Sequence, residues 1–160
     1  MKQFYIIFLL GGFLTLISSC NNLDSHSIAS ASEKIEGTWI IQEVKSQVKG
    51  DGKLSKKDVT NNYKDWTFTF KSNGEAAIFA PKEDTTFYGS WEIYEDIEYN
   101  DEGEVETKNI LYMYFWDPDV YDNYREFFWE DMRASNTTLK AVQERDIDGT
   151  KAFYHFELTR

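Results

Sequence analysis

The strongest constraint on this chain is a period of two in its side chains. Trp66-Thr67-Phe68-Thr69-Phe70-Lys71 sets aromatic rings on one side of the backbone and polar groups on the other, as a half-buried strand does. Ser72-Asn73-Gly74 follows, and Asn-Gly marks a tight turn because both residues tolerate positive φ. Glu75 to Ala80 returns as the partner strand, ended by Pro81. Phe87 to Tyr94 repeats the alternation with Phe87, Gly89, Trp91 and Ile93 on one side, and the acidic run Asn100 to Glu104 makes a hairpin tip. Ile110 to Trp116 is apolar on both faces. Leu111, Met113 and Phe115 are assigned inward there, since tyrosines tolerate a wet outer face.

Tyr124 to Met132, Thr138 to Glu144 and Ala152 to Leu158 continue the series, with Ser135-Asn136 and Asp148-Gly149 as their turns. With Thr38 to Gln47 in front, the expectation is an all-β fold, an eight-stranded antiparallel up-and-down β-barrel over residues 35–160. Closure is the natural end of such a meander because it removes exposed strand edges. An open sandwich is the competing arrangement. Gly50 to Tyr63 stands outside the alternation, and Ser55 with Asp58 three residues later fits a capping box and predicts a short helical turn. Composition agrees: 17% of residues are aromatic, and such residues favour strands and bury large areas. A chain of 160 residues has room for one such domain.

The N-terminus reads differently. Lys2 precedes an apolar run from Phe4 to Ile17, too short to span a bilayer as a helix, and then Ile17-Ser18-Ser19-Cys20. Residues 1–19 are therefore expected to be a signal peptide. Cys20 is the sole cysteine, so no internal disulfide is available. Asn21 to Ser32 is polar and serine-rich, and residues 20–34 are expected to form a flexible tether, spanning about 20 Å over a dozen residues.

Charge excludes one class of partner. The chain carries a net charge of −11. Loss of residues 1–19 removes Lys2 alone among charged groups and leaves 16 basic against 28 acidic residues, a net charge of −12. That field repels phosphate backbones and anionic headgroups, so no nucleic-acid partner is expected and membrane attachment must be covalent.

Catalytic chemistry finds little footing, and no enzymatic activity is expected. His26 lies in the tether and His155 falls out of phase with the inward residues of the final strand. No nucleophile elbow, phosphate-binding glycine loop or histidine pair at metal spacing occurs. Asp117-Pro118-Asp119 with Asp122 could gather oxygen ligands for Ca²⁺, but a solvated acidic loop is the commoner outcome. Neither metal nor cofactor is expected. Tyr112, Tyr114, Tyr121 and Tyr124 form a cluster that either packs between strands or stacks on sugars and docks a partner.

Two resemblances add to this reading. Ile17-Ser18-Ser19-Cys20 resembles the bacterial lipobox, which implies that Cys20 is thioether-linked to diacylglycerol and becomes the new N-terminus. Two or three acyl chains hold a protein to a membrane durably, so the resemblance implies a lipid-anchored protein of the cell envelope. No Asp follows Cys20, which by analogy points to the outer membrane of a Gram-negative bacterium. Gly37-Thr38-Trp39 looks like the lipocalin Gly-x-Trp signature, and with Gly89-Ser90-Trp91 and Phe156-Glu157-Leu158 the domain is similar to short lipocalin-like domains of bacterial lipoproteins. In that family Gly37 and Trp39 would close one end of the barrel, and an Arg after the last strand, here Arg160, packs on the Trp. The connection Lys49 to Lys64 would lie across the open end. Asn136-Thr137-Thr138 stands at the hairpin where the family carries Thr-Asp-Tyr.

An eight-stranded barrel is just wide enough to be filled by its own side chains or to hold one small ligand. The candidate cavity residues are Trp66, Phe68, Phe70, Trp91 and Met113, with Phe127, Trp129, Tyr154 and Phe156 opposite. They imply a lipocalin-like lipoprotein holding a small apolar or amphipathic molecule. The alternative is a filled barrel serving as a non-catalytic interaction domain of the envelope, binding a protein or glycan on its outer surface.

Overall fold

The computed structural model describes residues 21–22, 27–50, 53–99, 102–120 and 122–160. The signal segment, Cys20, His26 and Tyr121 lie outside the described residues. The elements are β1 (Asn21–Asn22), α1 (Ile28–Ile35), β2 (Gly37–Gly50), β3 (Lys53–Asp58), β4 (Thr67–Phe70) and β5 (Glu75–Ala80). They continue with β6 (Thr85–Tyr99), β7 (Val105–Trp116), β8 (Tyr124–Ala134), β9 (Thr138–Ile147) and β10 (Thr150–Thr159).

Eight of the strands close on themselves in the order β2-β4-β5-β6-β7-β8-β9-β10, with β10 pairing back to β2 and every ladder antiparallel. This is the closed up-and-down barrel that the alternation implied. Inward positions run as expected: Phe87, Gly89, Trp91 and Ile93 on β6 are buried, as are Leu111, Met113 and Phe115 on β7. On β8 the register shifts between Glu130 and Arg133, with Asp131 at φ 46°. The extra residue moves the inward phase from Phe127 and Trp129 to Met132 and Ala134, as a bulge does.

β2 is longer than its neighbours. Gly37 to Ile40 pair with β4 and Lys45 to Gly50 pair with β3, so β3 and β4 lie end to end along one edge of β2. Among the described residues, β3 pairs with β2 alone and stands outside the barrel. The capping box expected at Ser55 and Asp58 is not formed, because both residues belong to β3. The extended edge of β2 offers a ready ladder, whereas an isolated helical turn must bear its own nucleation cost. Asp58 instead accepts the Thr60 N–H at 2.9 Å, which starts a single 3-10 turn at Thr60–Asn62.

The segment expected to be a flexible tether is helical from Ile28 to Ile35. Ser27 caps it by accepting the Ser30 N–H. Ala31 and Ile35, four residues apart on one face, are fully buried. The helix forms because that narrow stripe finds apolar cover beneath the barrel, a tertiary gain that serine-rich composition hides. β1 pairs with the end of β8, Asn21 opposite Ala134 and Asn22 opposite Arg133.

The same end of the barrel is closed by Trp39. Its ring is fully buried and its Nε1–H donates to the Ile35 carbonyl at 2.6 Å, tying β2 to α1. The Arg160 guanidinium lies 4.4 Å from the centre of that ring, and Arg160 Nη1 donates to the Glu36 carbonyl. Gly37 has φ 119°, and a Cβ there would sit 3.1 Å from Arg160 Nη1. The backbone conformation favours glycine strongly, and a Cβ would in addition crowd the Arg160 guanidinium.

Candidate binding surfaces at the mouth and on the outer wall

The nine side chains expected to line a cavity do converge inside the barrel, and eight of them are buried, with Tyr154 half-buried near the mouth. They meet one another. Phe68 approaches Trp129 at 5.2 Å, Phe127 at 5.5 Å and Phe115 at 6.3 Å between ring centres. Trp129 meets Phe156 at 5.2 Å, and Phe70 meets Trp91 at 5.5 Å. Edge-to-face and tilted pairs at these separations are favourable packing in their own right. The middle of the barrel is therefore an aromatic core, and four cavities formed by described residues lie at the mouth and on the exterior.

At the mouth, opposite Trp39, Tyr63, Trp66, Tyr124, Arg125, Glu126, Phe127 and Arg145 surround a cavity of about 320 Å³. Arg125 is wedged between two rings, 4.9 Å from Trp66 and 4.5 Å from Phe87, and pairs with Glu83. Its Nε–H is buried without an acceptor among the described residues. Arg145 lies 5.4 Å over the Tyr154 ring, and no described carboxylate pairs with it. Burial pushes the Tyr63 phenol above its ordinary range, against the opposing pull of Arg145 and Arg125. One layer deeper, Gln143 Oε1 and Trp129 Nε1 are buried without partners among the described residues.

Sequence reasoning missed Arg125 and Arg145. The signal was present: Arg125 shares the inward phase of Phe127 and Trp129, and Arg145 that of Leu139, Ala141 and Gln143. A charged residue at an inward position of a strand must meet either a partner or the rim.

The outer wall of β6, β7 and β8 carries the other concentration of rings. Tyr88 stands opposite Trp116, and Trp116 opposite Tyr124, across the three strands. Tyr114 lies 5.8 Å from Tyr124 at 25° between planes and 6.4 Å from Trp116 at 34°. Tyr112 packs on Phe128 at 4.9 Å and donates its hydroxyl to Glu126. Trp116 is 46% exposed and Tyr124 57%. Asp117, Val120, Asp122 and Asn123 join Tyr114, Trp116 and Tyr124 around a cavity of about 340 Å³. Asn123 Nδ2 donates to Asp117 at 2.9 Å, which fixes the amide beside the rings. Among the described residues no group of three or more His, Cys, Asp or Glu could hold a metal ion. His155 is exposed on the outer face of β10, away from the aromatic core.

No protein-family model, curated protein or solved structure matches the chain.

Proposed function

We propose that this chain is a lipid-anchored, lipocalin-like lipoprotein of the cell envelope with a filled barrel, a non-catalytic binding domain that engages a glycan or protein through its outer aromatic wall. One observation carries the reading. The inward rings are used against each other, while Trp116 and Tyr124 are exposed beside Asp117 and Asn123, with half-buried Tyr114 stacked on Tyr124 at 25° and tilted 34° from Trp116. Flat exposed rings flanked by fixed polar groups suit the apolar faces and hydroxyls of sugars, and equally the anchors of a protein interface. A molecule held deep in the barrel would have to displace Phe68 or Trp129 from their contacts.

The lipocalin-like part of the proposal is supported by the contact of Arg160 with Trp39 and by Gly37 beneath it. The anchor is supported by Ile17-Ser18-Ser19-Cys20 and by the place where the chain meets the barrel. β1 follows Cys20 directly and pairs at the Trp39 end, so an acylated Cys20 turns the mouth and the Trp116 side away from the membrane.

The test has two arms. Mass spectrometry of the N-terminal peptide from the full chain, expressed in a Gram-negative host, is expected to show diacylglycerol on Cys20, and an unmodified thiol would overturn the anchor. Binding of the full chain to envelope glycans and envelope proteins is then compared with a Tyr114→Ser, Trp116→Ser, Tyr124→Ser variant. Loss of binding at unchanged thermal stability supports the wall. Equal binding by the variant, or a bound apolar molecule released from the barrel on denaturation, removes it.

A further inference from the structure

We propose that the free end of the β6–β7 hairpin is a second, non-covalent membrane contact, which lays Ile97, Tyr99 and Val105 in the headgroup layer of a zwitterionic bilayer. The proposal builds on the anchor at Cys20 and adds a lipid-facing surface of the folded domain to it.

The hairpin outruns the barrel. Past Trp91, whose N–H meets the Gly74 carbonyl at 2.9 Å, β6 pairs among the described residues with β7 alone. β7 in turn pairs with β8 only from Leu111 to Trp116. Residues 94–99 and 105–110 therefore form a two-stranded ribbon, with Tyr94 opposite Ile110 and Tyr99 opposite Val105. A ribbon of two strands is marginal in water by itself. Its period of two puts Asp96, Glu98 and Lys108 on the outer side. Ile97, Tyr99, Val105 and Thr107 share the other side, with Glu95 and Asn109 at its barrel end. Ile97 is 60% exposed, Tyr99 74% and Val105 59%, so three large side chains meet water on one side of the ribbon.

Register sets the height of this side relative to the anchor. Leu111 stands opposite Trp129. Ala134 lies five residues further along β8, one of them absorbed by the bulge, and Val105 six residues further along β7. Asn21, the residue bonded to Cys20, pairs with Ala134. Asn21 thus lies within two rungs of the Tyr99–Val105 pair, roughly 7 Å at about 3.4 Å per residue. The polar layer on each side of a bilayer's hydrocarbon is itself about 5–8 Å deep. With no tether between Cys20 and the ladder, an acylated Cys20 brings the ribbon into that layer. Tyrosine is at home there, its ring on the apolar side and its hydroxyl in the wet one. Ile28 of α1, at the same end of the barrel, is exposed as well.

Charge selects the lipid. Asp96, Glu98, Glu102 and Glu104 are exposed on the hairpin, against Lys108, which pairs with Glu98. Anionic headgroups repel such a surface. Zwitterionic headgroups present a cationic outer group to the acidic turn and an apolar boundary to the three side chains. One thioether leaves a domain free to tilt. A second contact at the hairpin fixes the tilt and holds the outer wall clear of the membrane.

The test uses the full chain matured in a Gram-negative host and embedded in phosphatidylcholine nanodiscs whose acyl chains carry bromine, a contact quencher of tryptophan, next to the headgroup. Tyr99→Trp is compared with Ile147→Trp, an exposed position at the mouth end, each against the parent. The added emission is expected to be lost at position 99 and kept at position 147. Ile97→Ser with Val105→Ser is expected to restore it at unchanged melting temperature, since both side chains are exposed. Phosphatidylglycerol mixed into the disc is expected to restore emission at low salt, and high salt to remove it again. Equal quenching at both positions overturns the contact, as does none at position 99 in a chain whose Cys20 is shown to be acylated. Stronger quenching in anionic discs overturns the zwitterionic assignment. Self-association that the two serine substitutions abolish gives the face to a second copy instead. If Cys20 proves unmodified, coupling this sole thiol to a maleimide-headgroup lipid attaches the chain at the same residue, and the comparison then decides the hairpin apart from the anchor.

Discussion

Arg160 caps Trp39: its guanidinium sits 4.4 Å from the centre of the ring, while Nη1 and Nε donate to the carbonyls of Glu36 and Asn136, each at 2.7 Å. One side chain therefore ties the start of β2, the β8–β9 turn and the end of β10 to a single indole. An exposed guanidinium over a buried ring, with two charged hydrogen bonds discounted for that exposure, is worth about 2 kcal/mol. Arg160→Ala is expected to lower the unfolding free energy by about that amount in urea titration, and Arg160→Lys by less, because lysine keeps the charge but not the fork.

The aromatic core gives a second prediction. Phe68 is fully buried against Phe115, Phe127 and Trp129. Phe68→Ala is expected to destabilise by about 3–5 kcal/mol and to leave an apolar hole. Such a hole stays dry and takes up benzene, so benzene is expected to raise the melting temperature of the variant and leave that of the parent unchanged. An equal shift in both would mean that the parent already holds space there.

Gly89 is a third. A Cβ at this position would lie 1.9 Å from the Tyr114 carbonyl oxygen and 2.8 Å from the Phe115 Cα, both of them backbone on the paired strand. No side chain can rotate aside to relieve that overlap. Gly89→Ala is expected to cost about 3 kcal/mol or more, the upper range for overpacking, and to raise amide exchange along the β6–β7 ladder. A cost of a few tenths would show that the two strands separate easily.

Glu130 sets a pH dependence. Burial holds its carboxyl above the ordinary range, Lys108 opposes, and Glu98, Asp131 and Glu144 push it further up. Because the folded value is the higher one, the stabilisation conferred by the protonated form is present below the ordinary glutamate value of about 4.3 and lost as pH rises through the folded value. Glu130→Gln is therefore expected to melt higher than the parent at pH 8, with the gap closing at pH 4. A gap independent of pH would point to packing instead.

How far the sequence foretold this structure follows from what each residue does. Where one face of a strand is buried, the alternation located it: β5 falls at Glu75–Ala80 as read, and the inward sides of β6 and β7 are as assigned. The strand ends were read short. Beyond Tyr94, residues Glu95 to Tyr99 are all exposed, so β6 continues on backbone pairing with β7 alone, with no buried side to read. α1 escaped because its buried stripe is only Ala31 and Ile35 among serines and charges. The outer tyrosines were visible as a cluster, and alternation along β7 puts Trp116 on their face, while Tyr88 joins them through cross-strand register. The mouth was missed because arginines read as surface until their phase is compared with Phe127 and Ala141.

Closure of the barrel covers strand edges along its ladders, whereas β3, among the described residues, pairs with β2 alone and leaves its other edge uncovered. An uncovered edge invites a second molecule to add its own strand, the first step toward ordered aggregates. Here that ledge carries Lys56 and Lys57, both exposed, and ends at the 3-10 turn. Neighbouring copies crowded on a surface would bring like charges face to face at just that ledge. The lysines thus act as gatekeepers of solubility, a role unrelated to whatever the wall recognises.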